Sequence, residues 1–72
     1  MKNNLRSKKV STGHFQISID IEDEQFSTVT TNTMAIDAAF DEDYNGFGRV
    51  YESSEEAQNA LIREIRNENG LD

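Results

Sequence analysis

HFQISIDIE, residues 14–22, decides the fold. Phe15, Ile17, Ile19 and Ile21 alternate with His14, Gln16, Ser18, Asp20 and Glu22. A period of two puts the first set on one face of a strand and the second on the other, so the spacing predicts a strand with one dry and one wet side. The row of three isoleucines needs a cover. The rest of the chain must supply it.

Downstream, EDEQ is polar enough to turn the chain, although it lacks the Asn-Gly or Asp-Gly of a tight two-residue hairpin. FSTVTT (26–31), rich in Thr, Val and Phe, reads as a second strand pairing back. Phe26 and Val29 cannot share a face in a regular strand, so a bulge or an end position is expected for one of them. NTMAIDAAF then reads as a short helix capped by Asn32 or Thr33, with Ala35, Ile36, Ala39 and Phe40 as its apolar stripe. GRVYE (48–52) reads as a third strand with Val50 inward.

SSEEAQNALIREIRNENGL is a helix with both ends marked. Ser53 and Glu56 form a capping box. Glu55 and Glu56 occupy the first turn and Arg63 and Arg66 the last, as the helix dipole favours. Ala57, Leu61 and Ile65 stack on one face, widened by Ala60 and Ile62. Gly70 suits the residue after the helix, with Leu71 folding back toward Ile65. The expected fold is a small single α+β domain, β-β-α-β-α, with a three-stranded antiparallel sheet and two helices on one face. Residues 1–12, polar, basic and aperiodic, read as a flexible N-terminal arm, and 13–72 as the acidic α+β domain.

Composition narrows the function. The chain has 72 residues, 35% of them apolar, and no Cys, Trp or Pro. The core is therefore small, and thiolate chemistry is excluded. No apolar run follows the N-terminal basic residues and none is long enough to span a bilayer, so a cytoplasmic protein without membrane contact is expected. Lys2, Arg6, Lys8 and Lys9 fall in the first nine residues. Beyond them Arg49, Arg63 and Arg66 face all 14 acids, a net charge of −11. Such a body is not expected to bind nucleic acid directly; it favours a partner with a basic surface.

No catalytic set stands out. His14 is the only histidine, and the two glycines of NGFG have no lysine beside them to make a phosphate cradle. A domain this size leaves little room for a deep pocket. The expectation is a non-enzymatic, cofactor-free protein-binding module that docks its carboxylates on a nucleic-acid-binding protein, where phosphates would sit. In size and charge it resembles the small acidic inhibitors, DNA mimics among them, that phages and mobile elements carry. The expected acidic patch comprises Asp37, Asp41, Glu42, Asp43, Tyr44, Glu55 and Glu56, with Asp20 and Glu22 as secondary candidates. Among the nearby aromatics, Phe47 is expected in the core and Tyr44 and Tyr51 at the surface. An exposed aromatic beside Asp41, Glu42 and Asp43 would instead be an anchor ringed by acids. A third expectation is a homo-oligomeric accessory protein joined through an open sheet edge, the second or third strand.

DEDYNGFGRVYE (41–52) also fits D-x-[DN]-x-[DN]-G-x₅-E. It is similar to the calcium loop of the EF-hand family. The resemblance, over 12 of the residues, implies Ca²⁺ held by Asp41, Asp43, Asn45, the Phe47 carbonyl and a bidentate Glu52, with Gly46 at the sharp turn. Three positions depart from the family: Gly48 and Ser53 stand where apolar residues pack the loop, and Arg49 where a water-holding residue is usual. The competing reading, an acidic helix end and an Asn45-Gly46 turn with no metal, is preferred.

Overall fold

The computed structural model describes residues 4–71. The element order is β1 (Arg6–Ser11), β2 (His14–Ile21), β3 (Glu24–Thr30), α1 (Thr33–Ala39) and α2 (Ser54–Glu68). The strands form an antiparallel meander in the order β1-β2-β3. The structure is thus the expected α+β domain of three antiparallel strands and two helices.

The dry face of β2 is as its alternation demands. Ile17 and Ile19 are completely or almost completely buried, and they share one cluster with Ala35, Ile36, Ala38 and Ala39 of α1 and Ala57, Leu61 and Ile65 of α2. Both helices therefore lie on the isoleucine face. β3 runs without a bulge: Phe26 stands opposite Ile19 on the dry face, and Val29 stands opposite Gln16 on the uncovered one. Both residues that had competed for one face are accommodated, because Val29 is left half exposed.

One element lies elsewhere than expected. The third strand is not GRVYE but Arg6–Ser11, so residues 6–11 of the presumed arm belong to the sheet and the order is β-β-β-α-α. Residues 1–3 of that arm lie outside the described residues. Strand pairing is made by backbone groups and is blind to side-chain polarity, so an edge strand can be polar on both faces. Thr12-Gly13 returns the chain, with Gly13 at φ +76°, and a bulge between Lys9 and Ser11 takes up the register shift. Leu5, just before β1, is the apolar residue that fastens this end to the core. On the uncovered face the Arg6 guanidinium donates two hydrogen bonds to the Asp20 carboxylate, at 3.3 and 3.2 Å. By contrast, residues 48–52 contain Gly48 at φ +71° and no strand.

The helix ends follow their signals. Asn32 Oδ1 accepts from the Ala35 amide at 3.1 Å, and Ser53 Oγ from the Glu56 amide at 3.1 Å. Beyond α2, Gly70 has φ +68°, its N–H donates to Asn67 and the Leu71 N–H donates to Arg66, the two bonds that close a helix on a left-handed residue. In α1 Ala35, Ile36 and Ala39 of the expected stripe are buried, Ala38 joins them, and Phe40, at the helix end, is exposed. Where β3 meets α1, the buried Thr30 hydroxyl donates to Glu64 Oε1 of α2 at 2.8 Å and accepts from the Asn32 amide.

The β2–β3 connection is a two-residue turn despite its sequence. Glu22 and Asp23 both take positive φ, 50° and 69°, a conformation that costs a non-glycine residue roughly 1–2 kcal/mol. Replacing Glu22-Asp23 by Asn-Gly should therefore stabilise the domain by about 1 kcal/mol, raising its melting temperature by about 4–8 °C. Leu61→Ala, at a fully buried position, should cost about 2–5 kcal/mol in urea unfolding.

Candidate functional site

α1 and α2 are joined by residues 40–53, fourteen residues without helix or strand. Connections of this length inside a small domain are uncommon, and they are usually binding loops or disordered. This one is held at several points. The Tyr44 hydroxyl donates to the Tyr51 carbonyl at 2.7 Å, and Asn32 Nδ2 donates to the Tyr51 hydroxyl at 2.8 Å. Asn32 also caps α1, so one side chain ties the loop's late residues to the start of the helix whose end begins the loop. Tyr44 and Tyr51 both pack against the core.

Inside the loop two Asx turns follow one another. Asp41 Oδ1 accepts from the Asp43 amide and Asn45 Oδ1 from the Phe47 amide, each at 2.9 Å. The Arg49 amide donates to the Gly46 carbonyl at 2.9 Å, closing a β-turn with Gly48 at its third position, φ +71°. At the neck, Gly46 runs against the backbone of Glu52 so closely that a Cβ on residue 46 would overlap the Glu52 carbonyl. Residues 46–52 thus form a small closed finger with its base on the two tyrosines.

The tip of that finger is apolar. Phe47 is 93% exposed and Val50 67%. Val50, Tyr44 and Tyr51 face Met34, Asp37 and Ala38 of α1 across an open groove of about 290 Å³, and Met34 is itself 54% exposed. Expectation and structure are reversed for the aromatics: the tyrosines are the packed residues and Phe47 is the exposed one. Val50, expected inward, faces solvent. The reason lies in the polar atoms. Each tyrosine hydroxyl finds a partner at the loop base, whereas Phe47 is carried to the corner of a glycine-flanked turn.

The expected acidic residues are divided over two depressions. Asp37 and Tyr44 line the groove just described. Asp41 and Glu42 line a second depression with Leu5, Phe40 and Ser54, where Glu55 and Glu56 follow in the first turn of α2. Asp43 is exposed between them in the loop. Asp20 and Glu22 are not part of this group: Asp20 pairs with Arg6 on the uncovered sheet face, and Glu22 is in the hairpin turn. The loop's single cation, Arg49, lies 5.5 Å from the centroid of the Tyr44 ring, a cation–π position that keeps its charge at the loop base. The finger itself was missed in sequence. Its signal was NGFG, two glycines bracketing an aromatic.

Among the described residues no group of three His, Asp or Glu side chains is placed to hold a metal ion. The carboxylate of Asp41 and the amide oxygen of Asn45 each accept a local N–H, and Glu52 precedes the Ser53 cap of α2. Among the described residues no helix is long and apolar enough to cross a membrane. No protein-family model, curated protein or solved structure matches this chain.

Two glycine substitutions separate the demands of the finger. Gly46→Ala should force the neck apart at a cost of about 1–3 kcal/mol and speed hydrogen exchange of the Arg49 amide. Gly48→Ala meets open space and should cost only its positive φ, about 1 kcal/mol.

Proposed function

We propose that this protein acts by binding rather than catalysis, docking the finger and its flanking acids on a basic surface of another protein. The observation that carries this reading is Phe47: a large apolar side chain, 93% exposed, on a loop pinned at its base. Burying an aromatic on a partner gives affinity, and a pinned loop loses little entropy on binding. Asp37, Asp41, Glu42 and Asp43, with Glu55 and Glu56 beyond, supply charge that steers a cationic surface and adds little to a neutral one. On a nucleic-acid-binding partner these carboxylates would stand in for phosphates while Phe47 and Val50 fill an apolar recess, so the module would inhibit by occupying the nucleic-acid site.

Calcium has no part in this reading. A site of 10 µM affinity would add about 2.7 kcal/mol at a calcium concentration a hundredfold higher, a rise of roughly 10–20 °C in melting temperature for a domain of this size. The expected result is an unchanged melting curve in calcium against EDTA. Of the two edges expected for self-association, 48–52 forms no strand and β3 is an edge of the sheet, while at the opposite edge Lys8, Lys9 and the bulge after them discourage strand addition.

Phe47→Ala should leave stability within about 0.5 kcal/mol of wild type, because the side chain touches little. The same change should weaken partner binding by roughly thirtyfold or more. Wild-type and Phe47→Ala baits run in parallel on a cell extract at low salt provide the test, followed by reconstitution with each purified species that wild type alone retains. Basic proteins released by salt and displaced by duplex DNA are expected. Identical captures on both baits, or retention indifferent to salt, would refute the reading.

A further inference from the structure

The chain contains two Asn-Gly steps, Asn45-Gly46 and Asn69-Gly70, and the structure treats them oppositely. An asparagine before glycine is open to attack on its side-chain amide by the next backbone nitrogen, because glycine has no side chain to obstruct the approach. The Gly46 nitrogen bonds to Asn45 Cγ and gives its proton to solvent base. The Cγ–Nδ2 bond breaks, and ammonia leaves with a proton taken from water. Water then opens the resulting succinimide at either carbonyl, giving aspartate or isoaspartate.

At Asn45 no hydrogen bond among the described residues holds the nucleophile or the leaving group. The residue is exposed, and among the described residues the Gly46 N–H and Asn45 Nδ2 have no hydrogen-bond partner. The Phe47 N–H donates to Asn45 Oδ1 at 2.9 Å, where negative charge builds as the nitrogen adds, so the turn stabilises the tetrahedral intermediate as an oxyanion donor does. Asn69 is held on both counts. Its Nδ2 donates to the Ser27 carbonyl at 3.0 Å and to the Ile65 carbonyl at 2.8 Å, and the Gly70 N–H is engaged with Asn67. The leaving group and the nucleophile must both be released before reaction can begin.

We infer that Asn45-Gly46 is a site of spontaneous deamidation and isoaspartate formation in the folded protein, and that Asn69-Gly70 is protected. The overlap that any Cβ at residue 46 would make with Glu52 ties the finger to a glycine there, so the neck and the reactive step come together. Isoaspartate would route the main chain through an extra methylene at that neck and add a carboxylate beside Asp41, Glu42 and Asp43. The finger would lose its closure with age.

Peptide mapping by mass spectrometry, after incubation of the full chain at mildly alkaline pH, tests this. A sample in denaturant serves as clock, with both steps free to react. Sampling ends when half of the denatured Asn45 has converted. In the folded protein Asn45 should have converted to a comparable extent. Asn69 should lag by about tenfold or more, the population cost of opening three ordinary hydrogen bonds. An intact Asn45 in the folded chain at that time would overturn the proposal, as would conversion of Asn69 at the rate of Asn45.

Discussion

Everything in this molecule depends on covering Ile17 and Ile19. A sheet with one apolar face must bury that face against another layer, and a domain of this size has few apolar residues with which to cover it. α2 does most of the work through Ala57, Leu61 and Ile65, each fully buried. α1 adds Ile36 and the alanines Ala35, Ala38 and Ala39, whose small side chains let it lie close against its neighbour. The consequence is geometric. With both helices on the same face and α1 only seven residues long, the chain must travel from the end of one to the start of the other without a strand to carry it.

That journey creates the candidate site. A fourteen-residue connection could be left loose, and here it is fastened by polar groups the core cannot use. Tyr44, Tyr51 and Asn32 form a short relay from loop to helix cap. The core is already closed by the isoleucine row and α2, with the two tyrosines packed against it. Phe47 and Val50 of the loop remain outside, as does Met34 of α1. The proposed docking surface rests on this exposure of several large apolar groups on one part of a small acidic protein, and the charge around it is what would select the partner.

The parts legible in the sequence were those where side-chain pattern and backbone structure obey the same rule. β2 announces itself because its alternation is a burial pattern, and α2 because its caps, dipole charges and stripe agree. β1 was illegible for the converse reason: Arg6, Lys8 and Lys9 bury nothing, and the strand is held by backbone pairing and by Leu5 at its head. The segment 48–52 misled because valine and tyrosine favour strands, while Gly46 and Gly48 speak for a turn. Glu22-Asp23 shows tertiary context overriding local preference, since the strand register leaves room for two residues only. For the site, the acids were legible as residues and not as a surface. Which aromatic points outward depends on hydrogen bonds to Asn32 and to a backbone carbonyl, and those are invisible before the chain is folded.

Docking through Phe47 requires the finger to be ordered. Backbone relaxation by NMR measures this directly on the picosecond-to-nanosecond scale. The tie from Asn32 through Tyr51 to Tyr44 predicts order parameters for Arg49, Val50 and Tyr51 close to those of α2, about 0.85. Values below about 0.6 across residues 46–52 would contradict it, because a loop that mobile could not hold Phe47 in place as an anchor.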